Sequence, residues 1–247
     1  MESYVARQFD VDFIYFDLMF AAIWMLLLWR QKHILAWGFG LAGACIVFLA
    51  DDVLWFHIQK TRFLDVPLNP DLFLLYFSFT YGMIMFSYAI VMFTATKTKT
   101  RVFWTILLYL GWTTSAFLSQ WIPLDDGLIS IGRDMSGARE VQVAMVVGGY
   151  LLLIILKYTW RAMKALTWSR MAYLFLIGIL VHFGMEFTLW ISEIRPAEGG
   201  LDVLIFNSLL EFNTGIPVLY IAWTAITRAR TKEQPRQLPS DTAALGN

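Results

Sequence analysis

The sequence predicts an all-α, polytopic membrane protein: a seven-helix transmembrane bundle with its N terminus outside and its C terminus in the cytoplasm. Three observations predict it. Of 247 residues, 58% are hydrophobic and only 15% are charged, against about 25% charged in an ordinary soluble domain. Seven apolar stretches approach or exceed the about 20 residues that a helix needs to cross roughly 30 Å of hydrocarbon. They run over 13–29, 34–58, 72–95, 102–122, 141–160, 168–192 and 201–227. The formal net charge of zero, finally, divides into two large opposite parts.

The connections after spans 1, 3 and 5, with the tail, hold thirteen of the 19 bases and only two acids, Glu233 and Asp241, a formal +11. The remainder holds six bases and seventeen acids, −11. Lys and Arg favour the cytoplasmic side, so this asymmetry sets both the span count and its direction. Residues 1–227 form one transmembrane domain, and 228–247 read as a basic, disordered cytoplasmic tail. The location this implies is a multi-pass integral membrane protein, of a bacterial inner membrane or its equivalent. No cleavable signal peptide is expected, because the first span follows an acidic segment. The composition excludes a nucleic-acid partner, and the single Cys45 excludes a disulfide framework and a thiolate zinc site. Trp29, Trp37, Trp104, Trp168 and Trp223 near the inner boundary, with Trp55, Trp121 and Trp190 near the outer one, read as aromatic belts.

Span by span, the polar residues are what require explanation. A carboxylate in hydrocarbon costs at least about 2.5 kcal/mol on insertion scales. Span 1 carries Asp17, read as a boundary residue. Span 2 carries Asp51 and Asp52 within LADDVLWFH, roughly 25 Å along the helix from its cytoplasmic end. They point about 100° apart, and Asp52, on the face of Trp55, is expected to face the interior. Span 3 places Ser78, Thr80, Gly82 and Ser87 at intervals that favour close helix packing. The connection after span 4, DDGLISIGRDMSGARE, brings Arg133 and Arg139, which with Arg62 and Arg195 share a side with the acids. They either balance those acids or hold a phosphate or carboxylate headgroup bidentately. Span 6 carries His182 near the midplane and Glu186 one turn further out, i and i+4 on one face, with Trp190 and Glu193 toward its exit. Span 7 runs inward, so Glu211 lies roughly 15 Å below the outer surface. Asn213 and Thr214 follow it, and Pro217 frees a carbonyl near 213.

These groups fall in one half of the bilayer, where an outward-facing acidic pocket would gather them. Candidate catalytic residues are Asp52, Glu211, Glu186 and Asp51. Candidate substrate-binding residues are His182, Asn213, Trp55, Trp190, Arg133, Arg139 and Arg195. No cofactor is expected and no resident metal is assigned, although His57, His182, Glu186 and Asp52 offer a mixed oxygen and nitrogen shell for the alternative of a metal-dependent lipid hydrolase. No lysine in span 7 offers a retinal Schiff base. The chemistry that fits is acid–base catalysis on a lipophilic substrate, one carboxyl donating a proton and another accepting it, with aromatic faces stabilising a cation. The partners expected are that small molecule and membrane lipids; a proton-coupled carrier and a lipid-binding receptor are the other readings.

The layout resembles the seven-span integral membrane terpene cyclases that make meroterpenoids. EFNTGIPVLYIAW (211–223) is similar to that family's acid, glycine and aromatic ending of the last span, and MEFTLWISEIRP (185–196) to its aromatic-rich exit from span 6. The family places one essential acid in span 2 and one in span 7, here Asp51 or Asp52 and Glu211. The resemblance implies cyclisation or isomerisation of an isoprenoid. The chain departs from the family in the acid types at both positions and in lacking a tryptophan just before the span 2 acid.

Overall fold

A computed structural model describes residues 4–135, 137–195 and 200–233. Seven helices are long and apolar enough to cross a bilayer. In chain order they are α1 (Asp12–Arg30), α2 (Ile34–Phe48) continued by a π-helical segment (Leu49–Ile58), α3 (Pro70–Thr94), α4 (Thr98–Trp121), α5 (Ala138–Thr159), α6 (Trp168–Ile191), and a last span in two pieces. Those pieces are α7 (Gly200–Leu210) and α8 (Ile216–Glu233), joined by a 3₁₀ turn over Phe212–Thr214. Past Arg228, α8 continues to Glu233, into the segment read as a disordered tail. Residues 234–247 of that tail lie outside those described.

The helices are apolar on nearly every side, as helices solvated by lipid should be. Buried residues make up 78% of the apolar window of α3 but 11% of that of α5, so α3 is the axis and α5 the periphery. The α3 axis is possible because α2 comes very close to it. A Cβ on Gly82 would sit 2.4 Å from the backbone of Ala44, and one on Gly40 would meet the Met83 carbonyl at 2.8 Å. The small-residue spacing in span 3 therefore does serve close packing. Gly82→Val is expected to cost about 1–3 kcal/mol or more, because the obstructing atoms are backbone. Expression and thermal melting in detergent check this, and an unchanged melt would contradict the packing.

Trp104, expected in an interfacial belt, is fully buried and packs edge-on against Trp24, centroids 4.8 Å apart. The Trp24 indole donates to Ser87 Oγ at 2.8 Å, so two tryptophans make interior packing rather than an interface anchor.

An all-α fold omits one element. Three short strands, β1 (Tyr4–Asp10), β2 (Arg62–Asp65) and β3 (Leu128–Asp134), form an antiparallel sheet in the order β1-β3-β2. The sheet gathers the N-terminal segment and the connections after spans 2 and 4 at one end of the bundle. The connection after span 6 joins them, as Gln8 N donates to Ile194 O at 2.9 Å. Alternate connections thus share an end, as the charge ledger requires. The register places Arg7 opposite Ile131 and Arg62 opposite Arg133. Side chains alternate faces along a strand, so Arg7, Ile131, Arg133 and Arg62 occupy one face of the sheet, and all four line the cavity below it.

Candidate functional site

Beneath the sheet lies a cavity of about 290 Å³, near the lower end of the range for small-molecule sites. Two local irregularities aim acids into it. In span 2 the π-helical segment begins just before Asp51. In span 7 the chain breaks immediately after Glu211. Both are costly departures from α-helical hydrogen bonding that recur at functional sites.

Asp51 and Glu211 both line the cavity. Asp52 does not, which corrects the expectation that it is the interior acid. A π-helix turns less per residue than an α-helix, so the 100° step places the wrong member of the pair on the face of Trp55. Asp51 pairs with Arg62, while buried Asp52 faces the rim, its Oδ1 3.6 Å from His57 Nε2. The same nitrogen lies 3.0 Å from Asp71. Asp52, His57 and Asp71 could hold a metal ion between them, and they are the group with that capacity among the described residues. The mixed shell of His57, His182, Glu186 and Asp52 is not assembled. His57 is exposed at the rim, whereas Glu186 is committed to an interior ion pair. Asp51→Asn is expected to cost about 1–3 kcal/mol by stranding Arg62, and Asp52→Asn under about 1. Comparing the two melting temperatures checks this, and the reverse order would contradict the assignment.

Glu211 holds the centre. Its Oε1 accepts from Arg133 Nη2 at 2.9 Å, and its Oε2 lies 2.9 Å from His182 Nε2. His182 also lines the cavity and is buried, and neither ring nitrogen completes a well-aligned hydrogen bond among the described residues. His182 Nε2 is 3.8 Å from Glu186, its i+4 neighbour. Glu186 itself is sealed behind the cavity wall. Arg195 Nη2 donates to its Oε1 at 2.9 Å and lies 2.7 Å from Oε2; Asn207 donates at 2.9 Å, and Arg7 stands at 3.5 Å. This is a structural ion pair, and it takes Glu186 and Arg195 out of contact with a ligand.

Other expected residues separate similarly. Trp55 lines the cavity, but its ring lies under the Arg133 guanidinium at 4.1 Å. Arg62 and Arg7 each lie about 6 Å from the Phe77 ring, at 5.8 and 6.0 Å. The aromatic faces expected to stabilise a cation already carry guanidinium groups. Arg139 donates to Asn207 at 2.5 Å and to Gln142 at 3.1 Å, bracing the wall rather than lining it. Asn213 is fully buried and stitches the break in the last span. It accepts from Tyr150 Oη at 3.0 Å and donates to the carbonyls of Leu209 and Phe175 at 3.0 and 3.2 Å. Trp190 is 41% exposed and stays on the bundle exterior. Asp17, read as a boundary residue, is fully buried and accepts from Tyr76 Oη at 3.1 Å.

The pocket expected to be acidic is therefore not acidic. Three guanidinium groups (Arg7, Arg62, Arg133) line it against two carboxylates (Asp51, Glu211), a formal +1 before His182 is counted. Burial acts to lower the pKa of Arg7, but Tyr81, Glu186, Glu211 and Asp51 together hold it above its ordinary value. Arg62 goes the other way: burial, reinforced by the like charges of Arg133 and Arg7, outweighs the Asp51 partner and lowers its pKa. Sequence reasoning passed over Arg7 and Tyr81, whose phenol accepts from Arg7 Nη1 at 3.2 Å. Their signal was an arginine two residues from a phenylalanine in an alternating segment.

Comparison of the chain with protein-family models, with curated proteins and with solved structures finds no match. The site lies within a multi-pass bundle of seven membrane-length helices.

Proposed function

We propose that the chain is an integral membrane enzyme that performs proton transfer on a lipophilic, isoprenoid-like substrate, isomerising it within the cavity under the sheet. The observation that carries this is the His182–Glu211 pair, 2.9 Å apart and facing the cavity, with His182 buried, Glu211 half-buried and Arg133 flanking them. His182 removes a proton from one carbon of the substrate and, after exchange with water in the cavity, returns a proton to another, so a double bond moves and the mass in ordinary water is unchanged. Glu211 orients the imidazole and stabilises its charged form. Arg133 fixes Glu211 and offers a charge to an anionic intermediate. Asp51 is a positioning residue through Arg62.

Of the two chemistries expected, isomerisation suits this electrostatic setting better than cyclisation through a carbocation. The aromatic faces that would stabilise a carbocation already carry the guanidinium groups of Arg133, Arg62 and Arg7. An anionic intermediate meets the same groups as hydrogen-bond donors. The charge asymmetry supports placing the sheet end outside and the C terminus in the cytoplasm. The break in the last span also suits a proton-coupled carrier, which proton flux into liposomes would reveal.

The test uses protein reconstituted in liposomes with a panel of prenylated and polyunsaturated lipids, with and without a chelator. The expected result is a product of unchanged mass whose formation survives chelation. A product formed only with added metal would transfer the chemistry to the Asp52, His57 and Asp71 rim and overturn the reading, as would the absence of any conversion.

A further inference from the structure

The sheet contains a like-charge pair that its own stability disfavours. Arg62 and Arg133 stand directly opposite on neighbouring strands, with Arg7 on the same face, and like charges so placed destabilise a sheet. Asp51 and Glu211 compensate two of the three. Arg7 is 3.5 Å from Glu186, a carboxylate already held by Arg195. The basic face thus has capacity for one more anion, and guanidinium groups suit phosphate and carboxylate oxygens. The opposite side of the cavity differs in chemistry. Ile46, Val47 and Ala50 of span 2 and Met145 of α5 line it. Ile46 is 54% exposed and Met145 52% exposed on the outer surface of the bundle. The cavity therefore reaches the lipid-facing surface between these two helices.

We propose that the occupant is a membrane-borne amphiphile with a single anionic head, phosphate or carboxylate, seated on Arg7, Arg62 and Arg133, its tail leaving sideways between span 2 and α5. This names the substrate class of the enzyme reading above and rests on it. Such a ligand fills the anion deficit of the sheet, brings the first carbons of its chain alongside His182, and leaves the rest of the tail in the bilayer.

The experiment is a binding titration of the full chain in phosphatidylcholine nanodiscs, read by native mass spectrometry. The probes are dodecyl phosphate, dodecanoate, dodecanol, dodecyltrimethylammonium and inorganic phosphate. The two anionic amphiphiles are expected to bind, and dodecanol and the ammonium probe to bind at least about tenfold more weakly, the effect of a charge-assisted hydrogen bond. Inorganic phosphate at the same concentration is expected not to bind. The variant Arg7→Gln removes the uncompensated positive group while its acid keeps Arg195, and is expected to lose the preference while melting near the wild type. If that variant fails to fold, Gln142→Glu, which adds a carboxylate to the cavity lining and can still accept from Arg139, serves in its place. Equal binding of dodecanol, a preference for the ammonium probe, or a preference unchanged in the variants overturns the proposal. Binding of inorganic phosphate as tight as that of dodecyl phosphate assigns the site to a free anion and overturns it too. Proton transfer that persists without anion preference faults this inference alone; anion preference without proton transfer faults the enzyme reading alone.

Discussion

Glu211→Gln is expected to lower turnover by about 10²–10⁴-fold while the chain still inserts and folds. The amide keeps nearly the same shape and can still accept from Arg133, so the loss of stability is expected to stay within about 1–3 kcal/mol. What it loses is the charge that stabilises protonated His182 across 2.9 Å. His182→Gln is expected to fall as far, because the two act as one unit and their losses are not additive. The double variant should then be no slower than either single one. The check is the isomerisation rate of the three variants in liposomes, with melting temperatures beside it. A Glu211→Gln protein that turns over at the wild-type rate would remove Glu211 from the mechanism.

Arg195→Met is expected to be the most damaging substitution for stability among the polar residues, at about 3–5 kcal/mol, the cost of leaving a buried carboxylate without its main partner. Glu186 is 1% exposed and Arg195 is 4% exposed, so water does not replace the lost contact. Arg7 at 3.5 Å and Asn207 at 2.9 Å remain, which is why the loss should fall short of complete unfolding. Burial already lowers the pKa of Arg195 despite Glu186, so this pair is an expensive one to keep. The double variant Arg195→Met, Glu186→Gln should recover much of the loss. Melting curves of the single and double variants decide it. If the single variant melts like the wild type, Glu186 has another compensating partner and the structural role assigned to Arg195 fails.

The seven spans were legible because hydrocarbon imposes one length and one composition on all of them, and helices satisfy their own backbone. The proximity of His182, Glu211 and Arg133 was legible in part. Depth along a helix follows from residue count, and that count alone puts His182 and Glu211 at one level. What could not be placed was direction around the axis wherever a span departs from 100° per residue. Asp51 and Asp52 exchange roles because the π-helical segment starts beside them, and nothing in LADDVLWFH announces it. The sheet escaped notice for another reason. Its strands are four to seven residues long and far apart in the chain, and their pairing depends on the bundle bringing their ends together. Arg7 therefore showed only as an arginine in an alternating segment, with nothing to place it in the site, and Asn213, in sequence an apparent pocket residue, proved to be needed to close the backbone break next to Glu211.

Solvent deuterium incorporation tests the central claim most directly, because it does not require the substrate to be known. Membranes containing the chain are incubated in D₂O, and the extracted lipids are compared by mass spectrometry with those from membranes containing the Glu211→Gln variant. The account predicts at least one lipophilic species that gains a carbon-bound deuterium with the wild type and not with the variant. Identical labelling with both proteins, or no labelling that depends on the protein, would contradict it.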